Sequence, residues 1–342
     1  MTGTATGTAT GGYDVIGDLH GHADRLVALL HELGYAERSG TWRHEHRTAV
    51  FVGDLIDTGP QQLEVLRIVR SMIDDGTALA VLGNHEFNAI SWVTRDPATG
   101  ERCRPDTPKN RSQHQAFLTQ IGEDTSEHRR WTDWFSTLPM WLDLGGLRVV
   151  HACWDPDAMA AIEPLLDPDR SLNEHTVIAA ADRSIGDAGG APTPYEAVEH
   201  LLKGPEVQLP AGFEYADKSG HCRDRARMRW WHPGADTLRR AALVPPGAPP
   251  CADGDVADVT DVADRAAPVR ELPDTPVTDR VPAPYTDTVP VVFGHYWCND
   301  RFEVVTDSAV CVDYSAGRGG PLAAYRWSGE TTLRRDHLVM VG

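Results

Sequence analysis

Eight residues of this chain can each donate an oxygen or an imidazole nitrogen, and each lies just past a short apolar run: Asp18, His20, Asp54, Asp57, Asn84, His85, His151 and His295. Taken singly, every one has an ordinary explanation. An Asp after a strand is a frequent helix N-cap, a buried His often serves a backbone carbonyl, and Asn in Gly-Asn-His suits a left-handed turn. Taken together, carboxylate, imidazole and amide oxygen form a donor set for Mn, Fe, Zn or similar ions, not a thiolate site. A carboxylate shared between two ions holds them about 3.5–4 Å apart, the separation used for in-line displacement at phosphorus. Such a pair activates water near neutral pH and neutralises phosphoryl oxygens as charge redistributes.

The elements that must hold these donors are legible as strand–loop–helix units. Tyr13 to Ile16 is an apolar run ending in Gly17-Asp18-Leu19-His20-Gly21. A stripe at Leu26, Leu29, Leu30 and Leu33 follows, with Gly34 as its C-cap. Thr48 to Val52 is the next strand, ending in Gly53-Asp54-Leu55-Ile56-Asp57. Pro60 is expected to open a helix whose buried face is Val65, Leu66, Val69, Met72 and Ile73. Ala78 to Leu82 runs into Gly83-Asn84-His85-Glu86. Leu147 to Val150 then meets His151, and Val291 to Phe293 meets Gly294-His295. Two closing strands, Val310 to Ser315 and Leu322 to Trp327, are expected on either side of a turn at Gly317 to Gly320. Polar residues just past strand C-termini are where α/β sheets place their ligands.

In order and spacing, Gly-Asp-Leu-His-Gly (17–21), Gly-Asp-Leu-Ile-Asp-Thr-Gly-Pro (53–60), Gly-Asn-His-Glu (83–86), His151 and Gly-His (294–295) resemble the motifs of the calcineurin-like metallophosphoesterases. The resemblance covers about residues 12–155 and 288–340. It implies an α/β fold, a β-sandwich flanked by helices, with two divalent ions at one end. Mn is the first expectation for these ions, with Fe, Zn, Ni and Co as alternatives. Asp18, His20 and Asp54 would hold metal 1; Asp54 would bridge to metal 2, completed by Asn84, His151 and His295. His85 would be the protonated group facing the leaving oxygen, oriented by Asp57. Gly-His-Tyr-Trp lacks the second His of the common Gly-His-x-His ending. It is similar instead to the phosphoprotein-phosphatase and bacterial diadenosine-tetraphosphatase branch, as is Val312-Asp313-Tyr314-Ser315 with its following glycines.

The chain departs from that branch at Thr58, where the pattern carries an arginine that grips phosphate. A hydroxyl cannot replace a bidentate cation. Arg229 and Arg227 are the leading candidates for the missing charge, alongside Thr58 and Asn84 as substrate contacts; Arg111 and Arg225 are weaker ones. The implied activity is hydrolysis of a small phosphorylated molecule: a nucleotide, a dinucleoside polyphosphate or a phosphorylated metabolite. The alternatives are a serine/threonine protein phosphatase and a metal-bound regulatory protein without catalysis. Retention of both His85 and Asp57 speaks against the last.

Composition narrows the partners. The 342 residues carry 32 Lys and Arg against 50 Asp and Glu, a net charge of −18. That excludes a broad tracker of nucleic-acid phosphates and disfavours anionic membranes. Length suggests about two domains' worth of chain. The expected division is a tail at 1–11 without fixed structure, a core of 12–155 and 288–342, and a cap at 156–287 built on that core. Within the cap, 245–290 reads as an acidic Pro/Asp-rich loop, since residues 251–290 hold eight Asp and one Glu against three Arg. The six cysteines form no Cys-x-x-Cys pair and are expected as free thiols. The Thr/Gly/Ala start does not read as a signal peptide, and a cytoplasmic location is expected.

Overall fold

A computed structural model describes residues 11–183, 190–216, 221–244, 248, 251, 271–277, 281–297 and 305–342. The expected tail falls almost wholly outside these, as does much of the acidic loop. The chain divides into two compact units, one of residues 1–203 with 287–342 and one of residues 204–286.

The first unit begins with β1 (Tyr13–Ile16), α1 (Ala23–Glu32), a small hairpin of β2 (Ala36–Arg38) and β3 (Thr41–Arg43), and β4 (Thr48–Phe51). Next come α2 (Gln62–Asp74), β5 (Ala78–Ala80), α3 (Asn84–Val93), α4 (Pro108–Ile121) and α5 (Ser126–Ser136). β6 (Trp141–Asp143), β7 (Arg148–Val150), α6 (Pro156–Ile162), α7 (Glu174–Ala181) and α8 (Pro194–Lys203) follow. The second unit holds β8 (Glu206–Gln208), β9 (Tyr215–Ala216), β10 (Cys222–Arg223), β11 (Arg225–Met228), α9 (Leu238–Ala241) and β12 (Ala242–Leu243). The chain then returns to the first unit with β13 (Val291–Phe293), β14 (Ala309–Cys311), β15 (Leu322–Trp327) and β16 (Leu338–Val341).

Two sheets make the sandwich. One has the order β16-β15-β1-β4-β5, the other β14-β13-β7-β6. β1, β4 and β5 run parallel, with Val15 opposite Val50 and Val50 opposite Leu79. β7, β13 and β14 are likewise parallel. Val15, Val50, Val52 and Val81 share one apolar core with Val149, Val292, Val310 and Val312. β-branched residues pack well on such pleated faces, and every one of these eight is fully buried.

Several local expectations need correction. α2 starts at Gln62, not at Pro60, because the Gln62 side chain is spent on the preceding loop: it accepts from Asp57 N at 2.7 Å and donates to Gly59 O at 2.6 Å. The strand expected over Val310 to Ser315 is β14 at Ala309–Cys311, and a short 3-10 turn at Ala316–Arg318 lies between it and β15, which belongs to the other sheet. The two compact units divide at 203/204 where the expected cap began at 156: α8 packs on both α6 and α7, and α7 packs on α3. Ala152 N donates to Leu201 O at 3.0 Å, tying α8 to the loop after β7. Residues 204–286 have their own apolar cluster, including Val207, Leu209, Ala226, Met228 and Leu272. Cys222 and Cys251 form a disulfide within that unit, so these two are not free thiols. Cys153 and Cys311 are free and buried. Among the described residues no helix is long and apolar enough to cross a membrane.

Candidate metal centre

All six parallel strands point their C-termini at one end of the sandwich, and the loops leaving them carry the polar residues. Asp18 and His20 leave β1, Asp54 and Asp57 leave β4, Asn84 and His85 open α3 after β5, His151 leaves β7, and His295 leaves β13. These loops turn sharply. His20, Asp54, Asp57, Thr58 and His295 have φ of 44°, 50°, 68°, 72° and 68°. Backbone held in the left-handed region costs free energy in non-glycine residues and clusters at functional sites. Two glycines allow the loops to approach. A Cβ on Gly294 would stand 2.1 Å from Asp18 Oδ1, and one on Gly83 would stand 2.4 Å from Asp54 Oδ1.

The donors fall into two groups that share Asp54. His20, Asp54 and His85 bring ligand atoms within 4.8 Å of one another, and so do Asp54, His151 and His295. His20 Nδ1 donates to Ile56 O at 3.1 Å and His151 Nδ1 donates to Val52 O at 2.7 Å, which leaves each Nε2 for the cluster. His151 Nε2 lies 3.1 Å from Asn84 Oδ1 and 3.4 Å from Asp54 Oδ1. Three lone-pair atoms that close demand a cation between them or a proton on the imidazole, so the residues present fit a divalent ion. Asp18, an expected ligand, is in neither group; it accepts from His295 N at 3.1 Å.

Burial alone would neutralise these carboxylates, yet His151 and His85 hold Asp54 well below the ordinary range. Asp18 behaves oppositely: burial, then Asp313 and Asp54, push it well up. His85 Nδ1 donates to Asp57 Oδ2 at 2.7 Å. Burial opposes its charge, but Asp54 and the bond to Asp57 raise it to about 9. Asp57 is held at about 2 despite its burial, through bonds to His114 and His85. His85 Nε2 is turned toward Asp54, 3.9 Å from Oδ2.

Three residues at this end went unread as site residues. Asp313, two positions past β14, is buried, feels Asp18 and His20, and accepts from Trp297 N and Ser315 N at 2.8 Å each. Its strand-end position was the signal available. Buried Glu86 accepts from Gly83 N, Asp54 N and Leu55 N at 3.1, 2.8 and 2.8 Å, so it moulds the loop that carries Asp54. Buried His114 donates to Asp57 Oδ1 at 3.1 Å from the far side. Of the substrate candidates, Asn84 is in the cluster and Thr58 is exposed beside Asp57. Arg227, Arg229 and Arg225 belong to the second unit, and Arg111 is taken by Asp106 and Glu123.

A family described as calcineurin-like phosphoesterase matches residues 13–209, more than half of the chain, and the chain belongs to it. An asymmetrical bis(5'-nucleosyl)-tetraphosphatase of Bacillus subtilis is 45% identical over 145 residues, 41% of this chain and 57% of that protein. Its counterpart in Bacillus velezensis is 47% identical over 86 residues, 25% of this chain and 34% of that protein. The chain thus spans from about a third to somewhat over half of these relatives. A solved protein serine/threonine phosphatase of Saccharomyces cerevisiae is similar at 13% identity and a TM-score of 0.45, covering 96% of this chain and 78% of that one.

Proposed function

We propose that this chain is a dinuclear-metal phosphoesterase that hydrolyses a small phosphorylated molecule, with a dinucleoside polyphosphate as the first substrate class to test. One observation carries the reading: buried Asp54 stands between His20 on one side and His151 with His295 on the other, while His85, bonded through Nδ1 to Asp57, borders the same carboxylate and is kept as the proton donor, not a ligand. Asp18, His20 and Asp54 are the proposed ligands of one ion; Asp54, Asn84, His151 and His295 are those of the other. The ions, when bound, would supply charge for the phosphoryl oxygens and activation of water. The chain's own residues do the rest. His85 gives its Nε2 proton to the departing oxygen, while Asp57 fixes Nδ1 and keeps the ring charged. His114 fixes Asp57 in turn. Glu86 holds the loop behind Asp54, so the shared ligand does not swing. The names of the Bacillus relatives favour a dinucleoside tetraphosphate.

The test is Mn-loaded protein against diadenosine tetraphosphate, nucleotides, p-nitrophenyl phosphate, its bis-ester and a phosphopeptide. Hydrolysis led by the dinucleotide supports the reading. Loaded protein that cleaves none of them, with Fe, Zn, Ni and Co also tried, ends it.

A further inference from the structure

Resting on the phosphoesterase reading, we propose that Arg104 supplies the cationic contact to the substrate phosphate that Thr58 cannot. Arg104 follows α3, and its backbone N donates to Ser91 O at 3.0 Å, which folds the segment back along that helix. Its guanidinium donates from Nη1 to Asn88 Oδ1 and from Nη2 to Gln113 Oε1, the latter at 2.8 Å. Asn88 lies one turn beyond Asn84 and so on the same face of α3. Gln113 directly precedes His114, whose ring holds Asp57. The guanidinium is therefore fixed from two sides, by one residue a turn along α3 from Asn84 and by one adjacent in sequence to His114.

What fixes it is neutral. Among the described residues, no carboxylate lies within ion-pair distance of Arg104, whereas Arg111 is held by two. Arg104 Nε is buried without a partner. A buried N–H left unmade costs about 1–3 kcal/mol, and a half-buried guanidinium among amides keeps its full charge to offer an anion. Burial lowers its pKa, while Asp57, the neighbour of Thr58, is the foremost group supporting its charge. Glu199 also supports it but is itself paired with Lys203, and Arg183 opposes it. A phosphate at the metal centre would meet a preorganised fork on the flank of Asp57. The expected arginine reaches that flank from the loop after β4; here the charge comes from the segment after α3.

The probe is inorganic phosphate, used as a competitive inhibitor of p-nitrophenyl phosphate hydrolysis and as a calorimetric ligand of the Mn-loaded protein. Arg104→Gln is expected to raise the phosphate Ki and Kd about ten- to a hundredfold, with metal content unchanged. It should also lower kcat/KM more on the dianionic monoester than on the monoanionic bis-ester, a discrimination that a purely structural arginine would not move. Arg104→Lys keeps a charge without the fork and should lie between. If Arg104→Gln does not fold, Arg104→Lys decides, with a Ki raised about three- to tenfold as the supporting result. Phosphate binding within twofold of the parent in the folded variants overturns the assignment, as do equal losses on monoester and bis-ester, or an effect seen only with Arg229→Ala. Parent protein that binds phosphate but cleaves no phosphoester would fault the phosphoesterase reading and leave the Arg104 contact intact.

Discussion

Asp14 and Asp18 are four residues apart, both buried, and lie toward opposite ends of the same strand and loop. Asp14 is met by two arginines: Arg47 Nε at 2.9 Å and Arg326 Nε at 3.0 Å. Arg47 also ties Gly11, Tyr13 and Trp327 carbonyls, so that end is a closed ionic staple. At the other end Asp18, Asp54, Asp57, Glu86 and Asp313 are all buried. Among the described residues none of these five has a Lys or Arg within ion-pair distance; the close partners of Asp54 and Asp57 are histidines. Burying like charges without compensation is costly. One end has satisfied its charge internally. The other holds an excess of negative charge that an external cation would balance.

The sharpest way to break this contrast is at the shared carboxylate. Asp54→Asn removes the charge both donor groups use, and an amide bridges two cations poorly. Loss of both ions is expected, with activity falling by about three orders of magnitude or more, whereas His295→Ala should loosen one ion only. Metal analysis decides. A single ion in fully loaded parent protein would sink the two-site reading, and so would an Asp54→Asn variant that keeps both.

Next in size is His85, which the open end holds as a cation. His85→Ala should retain metal and lose about 10²–10⁴-fold in turnover on a poor leaving group, less on p-nitrophenolate. Equal losses on both leaving groups would assign it a structural role. The same pair sets a pH signature in metal-free protein. His85 is raised to about 9, so its contribution is complete below its unfolded value of about 6.5 and lost as pH rises through about 9. Asp57 is depressed to about 2, so its contribution is complete above about 4 and lost as pH falls through about 2. Thermal melts across pH should show an alkaline limb that His85→Ala flattens.

The two ends should also answer a charge-removing substitution with opposite signs. Asp14→Asn leaves Arg47 and Arg326 without their carboxylate and is expected to cost about 2–4 kcal/mol while metal binding persists. Asp18 has a folded value above its unfolded one, so its ionisation at neutral pH is a penalty that fades as pH falls through the folded value. Metal-free Asp18→Asn should therefore melt higher than metal-free parent, and loaded Asp18→Asn lower than loaded parent. If metal-free Asp18→Asn melts lower, the excess of negative charge is not what separates the two ends.

How much of this was readable differs by residue. Asp18, Asp54, Asn84, His151 and His295 were legible because each apolar run is short and each motif sits where the run stops. Asp313 obeys the same rule. His114 was not legible: with Phe117, Leu118 and Ile121 it reads as the buried face of a helix, and only a contact across 57 residues gives it another role. Glu86 reads as an ordinary first-turn carboxylate, because its bonds to Asp54 and Leu55 are tertiary. The second unit was read as part of a cap built on the first, because its core residues, such as Val207, Ala226 and Leu272, are far apart in sequence, and the Cys222–Cys251 bridge spans 29 residues without a spacing motif.

The smallest expected effect lies at Thr58, where the open end carries strain that the closed end does not. Its φ of 72° is an outlier for a β-branched residue, and its side chain is exposed, so no packing contact is lost by changing it. Asn tolerates the left-handed region through local hydrogen bonding and, unlike Gly, does not loosen the unfolded chain. Thr58→Asn is expected to add about 1 kcal/mol, which for a chain of this size moves the melting temperature by about 1–2 °C. Metal content should stay at the parent level, since the Thr58 side chain is none of the proposed ligands. A melting temperature at or below the parent's would mean that the loop takes its left-handed turn without strain. The bond between Asp57 N and Gln62 would then be the feature that imposes the turn, and Gln62→Ala the substitution that disturbs it.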